Sequence, residues 1–128
     1  MLESDFFELL HSFDPDRMLP GENHDGSGEL LAWRARSRPP GSYINHLDLV
    51  VVRPGATIGH HRHAADNEEF YIMVDGEAEM RIEDRGVMVR QGDVIRNPPG
   101  GAHGLRNTSD QDVKIVVIEV RTPTPPQT

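Results

Sequence analysis

The sequence predicts an all-β fold, a sandwich or barrel of short antiparallel strands. Three observations point there. From residue 30 onward, short apolar runs are broken at near-regular intervals by Gly, Pro, Asn and Asp, the punctuation of strands joined by turns. The segment EAEMRIE, 77 to 83, alternates strictly, with Ala78, Met80 and Ile82 on one face and Glu77, Glu79, Arg81 and Glu83 on the other. That is a half-buried antiparallel strand with one wet face. The chain has 128 residues, 36% of them hydrophobic and 27% charged, which suits one globular domain with its own core.

The elements follow in order. SDFFELLHSF, 4 to 13, predicts a short N-terminal helix capped by Ser4 or Asp5, with Phe6, Leu9, Leu10 and Phe13 on one face. Asp14-Pro15 stops it. PGENHDGSGE, 20 to 29, reads as a loop. ELLAWRARS alternates, INHLDLVVV ends at Pro54-Gly55, and EEFYIMV ends at Asp75-Gly76. EAEMRIE turns at Asp84-Arg85-Gly86, VMVR ends at Gln91-Gly92-Asp93, and DVIRN ends at Pro98-Pro99-Gly100-Gly101. AHGLRN turns through TSDQD into the last strand, VKIVVIEV, which is apolar on both faces and is expected between two layers or in a subunit interface. The expected division is residues 1–29 as helix and loop packed on a barrel, 30–121 as the barrel, and 122–128 as a Pro- and Thr-rich disordered tail.

Composition narrows the function. The formal charge is −8, so neither nucleic acid nor an anionic membrane is the expected partner. No apolar run reaches the length of a membrane span, and the acidic N-terminus lacks the basic start of a signal peptide. There is no cysteine, which removes disulfides, thiol catalysis and thiolate ligands. A cytoplasmic location is expected.

The chemistry concentrates in GHHRHAADNEEF, 59 to 70, with three histidines and two glutamates. His61 and His63 stand at i and i+2, so on a strand both imidazoles reach the same face and can share one ion. Around them lie Gly55, Glu68, Glu69 and Gly76, and a second block, GDVIRNPPGGAHGLRN, holds Gly92, Pro98, Gly100, His103 and Asn107. These two blocks resemble the paired signature motifs of the cupin superfamily. The first, G-x5-H-x-H-x(3–5)-E-x6-G, is met by Gly55, His61, His63, Glu69 and Gly76, with the gap from His63 to Glu69 one residue longer than the commonest form. The second, G-x5-P-x-G-x2-H-x3-N, is met in full. The resemblance covers residues 47 to 120. It implies a conical β-barrel, that is, a jelly-roll or double-stranded β-helix, with one divalent transition metal ion inside. Iron, manganese, nickel, zinc, cobalt and copper all accept imidazole and carboxylate ligands.

The implied ligands are His61, His63, Glu69 and His103. His60 points away from His61 and is read as a surface residue. Alternation leaves the carboxylate open. Glu68 shares a face with Phe70, Ile72 and Val74, the greasier set, whereas Glu69 shares one with Tyr71 and Met73. The distance to Gly76 favours Glu69, and Glu68 is its alternate. If His103 faces inward, so do Leu105 and Asn107. His11 and His24 are expected at the surface, and Arg34, Arg36 and Arg38 are expected to form a solvated face rather than an anion site. His46, on a strand with Asn45 and Asp48, can line the pocket. Glu69, Tyr71 and His46 are the acid/base candidates. The expected function is a mononuclear metal-dependent enzyme on a small-molecule substrate, either a dioxygenase or a Lewis-acid isomerase, lyase or polyketide cyclase. The alternative is a metal-dependent small-molecule binder or sensor without turnover. A homodimer is expected from the apolar last strand and the amphipathic N-terminal segment.

Overall fold

A computed structural model describes residues 10–35 and 41–123 of the chain. Ten strands run β1 Leu19–Pro20, β2 Leu30–Ala35, β3 Ile44–Val52, β4 Thr57–Arg62, β5 Asn67–Asp75, β6 Glu77–Ile82, β7 Arg85–Arg90, β8 Val94–Asn97, β9 Ala102–Arg106 and β10 Val113–Arg121. They form two antiparallel sheets, six strands in the order β1-β2-β3-β10-β5-β8 and four in the order β4-β9-β6-β7. The all-β architecture is the one the strand and turn pattern predicts.

The core lies between the sheets. Val52, Ala78, Met80, Val113 and Ile115 are fully enclosed there. The strict alternation of β6 is realised, with Ala78 and Met80 buried and Glu77, Glu79 and Arg81 exposed. β3 is instead buried on both faces from Asp48 to Val52. Its inner side meets the core, and its outer side carries Leu49 and Val51 in a second cluster with Met18, Phe13, Leu31 and Trp33. The apolar β10 is enclosed laterally between β3 and β5. Its inner residues Val113, Ile115 and Val117 are buried, and its outer ones are half-buried. Its greasiness is therefore answered largely inside the chain, and it gives no direct reason for a subunit interface.

The turns obey the glycine pattern where the backbone requires it. Gly76, between β5 and β6, has φ of 86°, a region that side chains penalise. A Cβ there would also sit 2.9 Å from the Asp112 carbonyl oxygen.

The N-terminal helix is corrected. Residues 4–9 of that prediction lie outside the described residues. Leu10 to Asp14 are not helical, and the helical element among the described residues is a 3-10 turn at Pro15–Arg17. Asp14-Pro15, read as a stop, is a start. Proline occupies the first helical position, where its missing N–H costs nothing, and the Asp14 carboxylate accepts from the Asp16 amide at 3.0 Å. The loop expected at 20–29 begins as strand, because Leu19 and Pro20 pair with Ala32 and Leu31. Of the expected tail, residues 124–128 lie outside the described residues, as do Arg36 and Arg38.

Candidate metal centre

The two sheets meet at the site from opposite sides. His61 on β4 stands directly across from His103 on β9. A bulge between Ile58 and His61 re-aims the end of β4. His63 follows just after β4, its amide donating to the Gly101 carbonyl at 3.0 Å. Glu69 comes from β5 in the other sheet. Across that sheet it belongs to one lateral row, in which His46, Glu119, Glu69 and Asn97 are successive register partners.

Four donor atoms converge. The Nε2 of His63 lies 3.1 Å from that of His61 and 2.8 Å from that of His103. Oε1 of Glu69 lies 3.3 Å from His63 Nε2 and 3.2 Å from His103 Nε2. Donors held about 2.1 Å from one ion at right angles would be about 3.0 Å apart, so the spacing is that of a shared centre.

Tautomers point the same way. His61 Nδ1 donates to the Gly59 carbonyl at 2.7 Å, which leaves the Nε2 of the neutral ring as a bare lone pair aimed inward. His63 Nδ1 faces Asn67 Oδ1 at 3.2 Å and Glu119 Oε1 at 3.4 Å. Such partners fix ligand orientation in metal sites. A single proton on His63 Nε2 cannot serve two imidazoles and a carboxylate at once, whereas a divalent cation can. The donor set and its geometry therefore fit a metal ion, and His61, His63, Glu69 and His103 are the residues that can hold it. Glu68 takes no part. It pairs with Arg96 at 2.7 Å on the outer side of β5.

Electrostatics match this layout. Burial pushes the His61 imidazole down to about 4, helped by the neighbouring histidines. The Glu69 carboxylate raises His63. Burial opposes ionisation of Glu69, but hydrogen bonds from His103, His46 and His63 outweigh it and hold the carboxyl below its usual range. Burial, then the charges of Glu69 and Asp48, push the Tyr71 phenol well above its ordinary value, so Tyr71 stays protonated at neutral pH. Its ring lies 5.0 Å from that of His103.

Two of the four donor residues, His63 and Glu69, border a cavity of about 400 Å³. His46 lines it, with Nε2 3.7 Å from Glu69 Oε2 and 3.9 Å from Asp48 Oδ2, and Nδ1 3.4 Å from Glu119 Oε2. Arg34 grips Asp48 with two hydrogen bonds of 2.8 and 2.9 Å. Arg34 is exposed to solvent, as expected, and this pairing fixes it at the rim of the cavity. His24 is exposed, as expected, and it also lines the cavity rim and stacks on His61, with ring centroids 4.1 Å apart and planes 14° apart. It is held there in a left-handed conformation, φ 51°, next to Asp25 at φ 65°. Gly59 permits the contact, since a Cβ there would collide with the His24 carbonyl. His11 is half-buried beside Trp33, with ring centroids 4.4 Å apart, instead of at the surface. His60 is exposed on the far side of β4, and Leu105 and Asn107 are buried, both as expected.

Glu119 and Asn97 were not singled out by the sequence reading. A lone acid in an otherwise apolar closing strand was the available signal for Glu119. Asn97 is 2% exposed, and neither side-chain polar atom has a partner among the described residues.

Comparison with known proteins agrees with this layout. The cupin domain family matches residues 48–119. The chain is 33% identical over 89 residues to a mannose-1-phosphate guanylyltransferase of Sinorhizobium fredii, covering 64% of this chain and 17% of that protein. It is 32% identical over 76 residues to the SchB protein of Streptomyces halstedii, covering 59% and 54%. The chain thus spans at most about half the length of these relatives. Among solved structures, a "predicted oxalate decarboxylase" from Thermotoga maritima superposes with TM-score 0.77 at 22% identity, covering 81% of this chain and 91% of that one. A Cupin 2 conserved barrel domain protein from Salinispora arenicola superposes with TM-score 0.69 at 23% identity, covering 87% of each. These two likenesses concern the fold alone.

Proposed function

The chain belongs to the cupin family, and from that premise we propose that it is a mononuclear metal-dependent enzyme acting on a small molecule in the cavity beside His63 and Glu69. The observation that carries the reading is the convergence of three Nε2 lone pairs and one carboxylate oxygen on one point at the cavity wall. A divalent ion bound there would supply Lewis acidity and, for iron or copper, redox capacity.

The surrounding residues supply the rest. Asn67 and Glu119 hold the His63 imidazole, and the Gly59 carbonyl that of His61, in a ligating orientation. His46 contacts the outer oxygen of Glu69 and two further carboxylates, so it can take or return a proton beside the reacting centre. Tyr71 offers a protonated phenol and excludes water from the buried side. The test is metal per chain in untagged protein purified without chelator, followed by turnover assays. Near-stoichiometric iron or copper directs the search to oxygen uptake with chelating substrates. Zinc, nickel or manganese directs it to isomerase, lyase or cyclase chemistry. Failure to bind any of these ions after reconstitution overturns the reading.

Stoichiometric metal with tight ligand binding and no turnover would instead support a non-catalytic binder. We further propose a homodimer, supported by Val87, Met88 and Val94, which stay exposed on β7 and β8. A monomer mass by light scattering at micromolar concentration would reject it. No helix among the described residues is long and apolar enough to cross a membrane.

A further inference from the structure

We infer that the cavity selects an uncharged or cationic molecule with an apolar body and rejects anions, an inference that rests on the proposed site and specifies its substrate class. The charged residues lining the cavity are Glu22, Asp48, Glu69, Glu119 and a single arginine, Arg34. That is four carboxylates against one guanidinium among the described residues. Arg34 has no charge to spare, because both of its hydrogen bonds grip Asp48, at 2.8 and 2.9 Å. A divalent ion at the histidine cluster offsets only two of the three remaining negative charges. Among the described residues, an incoming carboxylate or phosphate therefore meets no lysine, and no arginine free of a carboxylate partner, so that the metal itself is its main cation, and it must approach two further acids, Glu119 and the rim residue Glu22. Like charge in a partly desolvated pocket is a strong device against the wrong partner.

Much of the remaining wall is apolar. Leu30, Ala32, Val50, Ile58 and Val117 face the same space, all but Ile58 on the same six-stranded sheet as the polar row of His46, Glu119 and Glu69. The volume of about 400 Å³ is that of an ordinary small-molecule site. A fitting occupant puts one polar end at the histidines and Glu69 and lays its hydrocarbon along β2, β3 and β4. His24, stacked on His61, sits beside Glu22 at the same wall.

The test is a matched set of probes with one chelating head. Benzohydroxamic acid, its 4-carboxy derivative and its 4-aminomethyl derivative are titrated by calorimetry into cobalt-loaded and metal-free protein, with cobalt counted in each sample. The carboxylate probe is expected to bind at least about tenfold more weakly than the uncharged one, with the aminomethyl probe at least matching it. Asp48→Asn, which frees Arg34, and Glu22→Gln, at an exposed site, should each narrow that gap. Equal or tighter binding of the carboxylate probe overturns the inference, as does failure of all three probes to bind either form at millimolar concentration. The two readings fail separately. Cobalt retained with no charge discrimination sinks this inference and leaves the metal site standing. No cobalt with discrimination preserved sinks the metal enzyme and leaves the cavity's selectivity standing.

Discussion

Neighbouring residues that differ only in which face they occupy give the sharpest test of the site. The perturbation is a pair of pairs, His61→Ala against His60→Ala and Glu69→Gln against Glu68→Gln. A ligand that binds only the folded chain stabilises it by about 4.1 kcal/mol at a thousand times its dissociation constant. With unfolding entropy of about 2.1 cal/mol/K per residue, the 128-residue chain carries roughly 270 cal/mol/K, so saturating metal should raise Tm by about 15 °C. Loss of one ligand that weakens binding about a hundredfold leaves about 1.4 kcal/mol at the same metal concentration, a shift of only about 5 °C. His61 and Glu69 should show that collapse, since their donor atoms lie 3.1 Å and 3.3 Å from His63 Nε2. His60 is exposed and is not part of the donor group. Glu68 loses one ion pair to Arg96, whose side chain is 58% exposed, worth about 1 kcal/mol at most. That lowers Tm with and without metal alike and leaves the shift intact. Differential scanning calorimetry with zinc or cobalt, with and without chelator, reads all four variants. A collapsed shift in Glu68→Gln with an intact one in Glu69→Gln would refute the placement of β5. An intact shift in all four would refute the site.

Three further outcomes follow from the same geometry. Metal binding near neutral pH should release protons, because Glu69 raises His63 and a ligating Nε2 must be bare; calorimetry in two buffers of different ionisation enthalpy should show the release shrinking as pH rises, and a pH-independent value would contradict it. The metal-free chain should lose stability as pH falls from about 6.5 to about 4, since the His61 imidazole, lowered to about 4 by burial, takes its proton later than in the unfolded chain; Glu69 adds a loss in acid, whereas the raised His63 contributes below its unfolded value and fades as pH rises, so His61→Ala should flatten the acid limb without moving the alkaline one. Asn107→Ala should cost about 3 kcal/mol, or about 10 °C in Tm, because the fully buried Asn107 amide donates to the Val52 and Gln111 carbonyls at 2.9 and 2.7 Å and its oxygen accepts from Ser109; a change under 3 °C would mean that the turn re-forms without it.

The strands, their turns and three histidines of the site were legible because each rests on a local rule. Alternation marks β6, glycine marks the reversals, and i, i+2 spacing puts His61 and His63 together. The carboxylate was harder for a physical reason. Hydrophobic patterning assumes that the greasier face turns inward, and on β5 that face, Phe70, Ile72 and Val74, is the outer one, half-buried or exposed. The inner face carries Glu69 because the barrel interior there holds a candidate metal centre and not only a core, and functional sites are where pattern rules fail. Long-range register hid the rest. Nothing local says that His46, Glu119, Glu69 and Asn97 stand side by side across four strands, or that Arg34 sits across from Asp48, and those two alignments set the charge of the cavity. Of the amphipathic N-terminal pattern, residues 4–9 lie outside the described residues and Leu10 is exposed, while Phe13 packs beside Met18 against the outer face of the six-stranded sheet without being helical. The left-handed backbone that brings His24 onto His61 leaves no trace in a loop whose Gly, Asn and Asp allow many conformations. Its nearest signal was Gly59, a glycine inside a strand, where a neighbouring backbone comes too close for a side chain.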